Sequence, residues 1–346
     1  MLDDLKYINQ IDTSDALGFA GKEPSQLLSK FNVEVEYRTP DITNVVYAGM
    51  GGSALAASLS TSWPGYKVPF EIARSYLLPA YVNGSTLCII SSASGNTEET
   101  LSALADAEKK GAHIVIIAGG GKLVEIAKEK NYPLYVLPPS PQPRYGVFNN
   151  FKALVDLGNQ AAIFDQETGD VLDKAAAFLS VEADAWQAIK PISSNPAKQI
   201  ALETLGKSVV IYGGPLMYPA AYKWKISFNE NAKQVAWCNA YSEFNHNEFI
   251  GWSAQPIDKP YCVIDLRSDL ELAPIKKRFS LSQQLLSGKR PDPVIIEAKG
   301  SNVLEQLLYC VLLGDFASIY AAIAAGNNPE PVELVEKFKR LLSEAD

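Results

Sequence analysis

Few side chains here can carry protons near neutral pH, because the chain holds two histidines, His113 and His246, and histidine is the side chain that ordinarily titrates in that range. His113 opens the apolar run His113-Ile114-Val115-Ile116-Ile117 and reads as structural. His246 lies between asparagines in Asn245-His246-Asn247-Glu248, away from any clear metal-ligand spacing. Taken alone, it suits a structural hydrogen bond as well as acid–base work. A second group could hold an anion: Ser92, Ser94 and Thr97 place three hydroxyls within six residues, just before a helix start. Hydroxyls beside free backbone N–H groups suit the oxygens of a phosphate monoester without lysine or arginine. Capping by Ser94 or Asn96, followed by Glu98 and Glu99, would account for one hydroxyl and not three. The turn Gly49-Met50-Gly51-Gly52-Ser53 could add backbone N–H groups to the same anion. It also fits a dinucleotide fingerprint, with Ala54 in the third position and Glu71 about twenty residues on; a nicotinamide dehydrogenase is the competitor built on that reading.

These groups need elements to position them. Asn44–Ala48, Leu87–Ile90 and His113–Ile117 are short apolar runs, each followed by a glycine- or serine-rich turn and a helical stretch. That alternation is the βαβ rhythm of a parallel sheet covered on both faces. It recurs at Ser208–Tyr212, Tyr261–Asp265 and Pro293–Glu297. The expectation is therefore an α/β protein of two αβα sandwich domains, residues 1–152 and 153–346. The first 40 residues read as short amphipathic helices broken at Gly21 and Pro24, residues 151–191 as acidic, alanine-rich helices, and Pro331–Leu342 as a terminal helix packing back. In an open α/β sheet ligands sit beyond the carboxyl ends of the strands, where both candidate loops fall.

Composition narrows the partners. At 346 residues the chain is long for one core, and a formal charge of −8, from 31 basic and 39 acidic residues, argues against nucleic acid or an anionic membrane as partner. Four cysteines without C-x-x-C spacing fit a reducing cytoplasm and no cysteine-type metal site. The opening Met1-Leu2-Asp3-Asp4 lacks the basic, then apolar, start of a secretory signal. Leu307–Gly326 imitates a membrane span, but Asp315 near its centre would cost about 3 kcal/mol in lipid. A buried core helix is the better reading.

Several motifs together resemble the bifunctional phosphoglucose/phosphomannose isomerase family, built from two sugar-isomerase (SIS) domains of flavodoxin-like parallel sheet. They are Gly49–Ser53, Ser91–Thr100, Pro143-Arg144, Phe228-Asn229-Glu230-Asn231-Ala232-Lys233 and Asn245–Glu248, with a weaker stretch from Gly314-Asp315 through Pro331-Val332 and Lys337. The resemblance implies an aldose–ketose isomerase interconverting glucose 6-phosphate and fructose 6-phosphate, with no metal and no cofactor. Gly52, Ser53, Ser92, Ser94 and Thr97 would hold the phosphate. Glu230 would move the proton between C2 and C1, Arg144 would stabilise the enediolate, His246 would open the ring, and Lys337 would assist at the ring oxygen. His246 would enter from the neighbouring subunit, which implies a homodimer. Two positions depart from the family pattern: Ala93 stands where an aromatic residue is usual, and Glu330 where a threonine leaves room for rotation about C1–C2. Mannose 6-phosphate as a second substrate is left open by Glu330. A sugar-phosphate-binding regulator of the same fold without catalysis would keep the hydroxyl loop but would not need Glu230 or His246.

Overall fold

The computed structural model describes every residue except 34, 36, 38–40, 167, 255–259, 345 and 346. In chain order its elements are α1 (Leu5–Ile11), α2 (Ala16–Gln26), β1 (Asn44–Ala48), α3 (Gly51–Ser62), β2 (Phe70–Ala73), β3 (Thr86–Ser92), α4 (Glu98–Lys109), β4 (His113–Ala118), α5 (Gly121–Lys130) and β5 (Leu134–Val136). There follow α6 (Val147–Gln160), α7 (Val171–Ala185), α8 (Pro196–Thr204), β6 (Ser208–Gly213), α9 (Tyr218–Glu230), β7 (Ala236–Ala240), α10 (Glu248–Gly251), β8 (Tyr261–Arg267), α11 (Ala273–Leu285), β9 (Val294–Glu297), α12 (Val303–Ala324) and α13 (Glu333–Glu344).

These elements form two compact units. Lys22–Ser180 with Gly300–Leu307 make the N-terminal unit, and Met1–Gly21, Val181–Lys299 and Leu308–Asp346 make the C-terminal unit. A boundary at 152/153 would cut α6, which the N-terminal unit needs: Phe148, Phe151 and Leu154 are fully buried there, and the Phe151 ring lies 6.1 Å from that of Trp63.

The N-terminal sheet has the order β2-β1-β3-β4-β5, every neighbouring pair parallel. Every residue of β1 and β3 is buried, which is why both are continuous apolar runs rather than alternating ones. Their core joins Val46, Cys88, Ile90 and Ile116 to Leu104 of α4 and Leu123 of α5. Parallel pairing gathers the loops after β1 and β3 at one edge, the switch point of a doubly wound sheet. His113 sits at the opposite edge as the first residue of β4, paired with Leu87.

The C-terminal sheet repeats the pattern as β7-β6-β8-β9, again all parallel. Its distinctive feature is a polar seam between α9 and α12. The Lys223 ammonium and the Asp315 carboxylate are fully buried and paired, and Ser227 Oγ donates to Asp315 Oδ1 at 2.7 Å. Trp224 Nε1 donates to the Cys310 carbonyl at 2.6 Å, and Asn231 Nδ2 to Ser318 Oγ at 2.9 Å. α12 is long and apolar enough to cross a membrane, and its apolar stretch is wholly buried within the protein.

One local expectation is corrected. α2 runs unbroken through Gly21 and Pro24. Asp12 caps its start through the Ala16 and Leu17 N–H groups, at 2.8 and 3.0 Å. Ala16, Leu17 and Ala20 are buried, and burial of this kind outweighs single-residue propensity. Pro24 lies in the last turn, where its ring removes the N–H that would bond the Ala20 carbonyl.

The seam predicts a stability asymmetry. Asp315→Asn leaves a buried ammonium without its counter-charge and should lower unfolding free energy by about 3–5 kcal/mol, measured from urea denaturation. Lys223→Met with Asp315→Leu removes both charges and should recover most of that loss.

Candidate active site

The glycine turn and the hydroxyl loop meet at the β1/β3 edge of the N-terminal unit. Ser53 Oγ accepts the Ala93 N–H at 3.0 Å, which ties the first loop to the second. Ser92 Oγ lies 2.9 Å from Thr97 Oγ1 and 3.4 Å from Ser94 Oγ, and accepts the Gly95 N–H at 3.1 Å. The capping alternative is not realised. Thr97, the residue preceding α4, makes no side-chain cap, Ser94 Oγ accepts from Asn96 N at 3.3 Å, and Asn96 turns away to accept from Lys122 N at 3.0 Å. The first N–H groups of α4 therefore keep the donor capacity that suits an anion.

Gly52 lies at a close approach: a β-carbon there would stand 3.0 Å from Pro143 Cβ and 3.2 Å from the Pro143 carbonyl oxygen, tighter than ordinary contact. A cavity of about 260 Å³ opens here, lined among others by Gly52, Ser53, Ala93, Ser94, Pro143 and Asn150. The small Ala93 thus faces the cavity. Sequence reasoning missed Asn150, whose side-chain amide donates to the Ser53 carbonyl at 3.2 Å and Ser91 Oγ at 3.1 Å, and Tyr47, whose hydroxyl reaches the same carbonyl at 2.9 Å. Neither lies in a motif. Their signal is burial of a polar group behind a loop, which only the fold reveals. Arg144 sits in the 3-10 turn Pro143–Tyr145, fully buried, its guanidinium carbon 4.8 Å from the centroid of the Tyr145 ring.

In the C-terminal unit Glu230 is the last residue of α9 and half-buried. The Lys233 ammonium holds the C-terminal end of that helix by donating to the Glu230 carbonyl at 2.7 Å and the Pro329 carbonyl at 3.0 Å. Asn229 Oδ1 accepts the Ala236 N–H at 2.9 Å. A cavity of about 630 Å³ beside Glu230 is lined by Asn229, Lys233, Asn328, Pro331 and Leu334, among others. Glu330 is not one of its lining residues; its N–H donates to Asn328 Oδ1 at 3.1 Å. α13 returns to this cavity through Leu334 and Val335, while Lys337 on the same helix is exposed.

His246 ends a 3-10 turn (Glu243–His246) and is exposed. Its neighbours are fixed. Phe244 packs 4.6 Å from the Tyr212 ring and 5.3 Å from the Tyr241 ring. The buried Arg290 guanidinium lies 5.4 to 5.9 Å from the rings of Tyr212, Phe244 and Trp252, which is cation–π range. Asn245 bonds Ser282 Oγ at 2.9 Å and Arg278 at 3.2 Å. Asn247 Oδ1 caps the Glu248 N–H at 2.6 Å, and the Glu248 carboxylate accepts from Tyr212 OH and from Asn239 at 2.8 Å. That carboxylate and burial together push the Tyr212 hydroxyl far above its ordinary value, burial being the larger cause. The imidazole is thus offered to solvent from a rigid base.

The structure brings Gly52, Ser53, Ser92, Ser94 and Thr97 together, with Arg144 in the same unit, and places Glu230, His246 and Lys337 on the other. Comparison with known proteins agrees with these motifs. Residues 193–342 match the family described as the bacterial phospho-glucose isomerase C-terminal SIS domain. A bifunctional phosphoglucose/phosphomannose isomerase of Caldicellulosiruptor bescii is 33% identical over 317 residues, 90% of this chain and 93% of that one. The enzyme of the same description from Aquifex aeolicus is 30% identical, covering 86% of this chain and 90% of its own. A glucose-6-phosphate isomerase like protein from Thermus thermophilus shares the fold, with a TM-score of 0.66 at 19% identity, over 96% of this chain and 99% of the other. With relatives this similar over nearly its whole length, the chain belongs to the bifunctional phosphoglucose/phosphomannose isomerase family.

Proposed function

We propose that the chain is an aldose–ketose isomerase that interconverts glucose 6-phosphate and fructose 6-phosphate through a cis-enediolate. The observation that carries this reading is the cluster of Ser53, Ser92, Ser94 and Thr97 at the uncapped start of α4, in a chain whose relatives are sugar-phosphate isomerases. The phosphate rests on those donors. His246 gives a proton to the ring oxygen as the anomeric hydroxyl loses one, which opens the ring. The Glu230 carboxylate then takes the C2 proton, and Arg144 offsets the negative charge that develops on the enediolate oxygens. Protonation at C1 by Glu230 yields the ketose, and no redox partner is needed. Lys337 assists at the ring oxygen. The relatives are named as phosphomannose as well as phosphoglucose isomerases, which supports mannose 6-phosphate as a second substrate.

The working unit of this proposal is a homodimer, His246 serving the partner's site. Its support is the exposed imidazole on an anchored base, in a unit that also exposes the apolar side chains of Val235, Trp237 and Ile250. Free Cys88, Cys238, Cys262 and Cys310 suit the cytoplasm.

Three outcomes test the reading. Glu230→Gln should lower kcat by about 10³-fold or more, and wild-type protein in D2O should deliver deuterium to C1 or C2; near-normal turnover of the variant defeats the base assignment. Ser94→Ala with Thr97→Val should raise KM for glucose 6-phosphate by about 10²-fold or more, two hydrogen bonds to a charged group being lost, with a smaller change in kcat. Glu230→Gln and His246→Ala, each inactive alone, should regain about a quarter of wild-type activity when mixed and allowed to exchange subunits. No recovery in a mixture shown to exchange would mean that His246 serves its own chain.

A further inference from the structure

The two sheets wind identically about their central strands, β2-β1-β3 in one unit and β7-β6-β8 in the other. β6 therefore stands for β1 and β8 for β3. The loop Gly213-Gly214-Pro215-Leu216-Met217 is the counterpart of Gly49–Ser53, and Ser268-Asp269-Leu270-Glu271-Leu272 is the counterpart of the hydroxyl loop. Each second loop carries a serine that bonds within it: Ser92 Oγ accepts the Gly95 N–H at 3.1 Å, and Ser268 Oγ the Leu270 N–H at 3.1 Å.

The two switch points differ in what meets the glycine turn. In the N-terminal unit it opens onto a cavity. In the C-terminal unit the Glu271 side chain, 4% exposed, crosses from the second loop to the first, and its Oε1 accepts the Leu216 N–H at 2.8 Å. Gly214 makes room for it, since a β-carbon at that position would collide with the carboxylate. Burial pushes the Glu271 carboxyl above its ordinary value, and the Leu216 and Met217 amides draw it back. α9 has no side-chain cap of its own on Met217. A buried carboxylate that accepts a backbone N–H in the turn before a helix stands where an anion would; the Met217 and Tyr218 N–H groups beside it are bonded to the Gly214 carbonyl at 3.0 and 2.8 Å.

We propose that Glu271 fills the C-terminal unit's anion seat from within, so that a chain of two similarly wound domains accepts one phosphate monoester, on its N-terminal loops alone. Glu271 is in this sense a specificity-determining residue: it decides how many sugar phosphates a chain takes and where. The proposal rests on reading Gly52–Ser53 and Ser92–Thr97 as the phosphate site, and the test keeps the two apart.

Full-length ¹⁵N-labelled protein is titrated with inorganic phosphate while backbone amide resonances are followed. In the wild type, Ser53 and Ser94 should shift saturably and Leu216 and Met217 should not. In Glu271→Ser the seat is vacated, and Leu216 and Met217 should gain a saturable shift of their own. Glu271→Gln retains a carbonyl oxygen for the Leu216 N–H and should behave as wild type. Glu271→Ala, read in the same way, guards against a folding defect peculiar to serine, and unchanged resonances elsewhere establish that the fold is intact. Saturable shifts at Leu216 and Met217 in the wild type, or none in the folded Ser and Ala variants, would overturn the assignment. Unmoved Ser53 and Ser94 in the wild type would defeat the phosphate-loop reading, while Leu216 and Met217 in the variants still decide the role of Glu271.

Discussion

A helix that follows a parallel strand delivers its first backbone N–H groups, unpaired, to the carboxyl edge of the sheet. Something with spare lone pairs has to meet them, and this constraint shapes both halves of the molecule. At the N-terminal switch point the donors are left open and the surrounding side chains are neutral hydroxyls and small residues, Ser53, Ala93 and Ser94. A site of this kind needs no lysine, which is how a chain of net charge −8 can hold an anion. At the C-terminal switch point a donor of the turn before α9, the Leu216 N–H, is met by the protein's own Glu271. Glycines fall at close approaches around both, at Gly52 against Pro143, at Gly95 against Gly120 and at Gly214 against Glu271.

The helix that begins at the filled seat ends at the proposed base, and it is pinned along its length. Glu271 holds the turn before α9, the Lys223–Asp315–Ser227 cluster holds its middle, and Asn231 and Lys233 hold its end. Charges buried in pairs cost desolvation energy and confer fixed geometry more reliably than stability. For a carboxylate that must meet one carbon atom, geometry is the useful return. Asn231, fully buried, sits beside the half-buried Glu230, so the backbone is anchored one residue from a side chain that reaches a cavity. His246 is arranged on the same principle with different materials: aromatic rings and Arg290 immobilise its neighbours while the imidazole stays in solvent.

How much of this was legible in the sequence depended on burial. β1 is found at the residues its apolar run marks, Asn44–Ala48, and β3, β4, β6 and β8 each extend their marked runs by only one to three residues. These strands are buried on both faces, and sequence records that as continuous Val and Ile. β2, β5 and β7 left no such trace. They lie at sheet edges, are short, and alternate or mix burial, as in the half-exposed Trp237 of β7. The hydroxyl loop was legible because three like residues crowd a short segment. Asn150 and Tyr47 were not, since their work is done from behind, across long chain separations. Gly21 and Pro24 misled because local propensity was read without the burial of Ala16, Leu17 and Ala20 that carries α2 through them.

Glu271 was illegible for a further reason. Motif reading looks for residues that hold a ligand, whereas here the residue takes the ligand's place. Two sheets of matching order could in principle offer two equivalent sites, and a free anion at either would compete only at its solution concentration. A carboxylate carried on the adjacent loop competes at the far higher effective concentration of a preorganised intramolecular group, so one side chain is enough to close a site that the fold would otherwise open. The desolvated carboxylate is compensated in part by the Leu216 amide, whose N–H it accepts at 2.8 Å. The gain is a turn before α9 that stays ordered whether or not substrate is present. The N-terminal loops have no such occupant and are tied instead by their own hydroxyls, Ser53 Oγ to the Ala93 N–H and Ser92 Oγ to the Gly95 N–H.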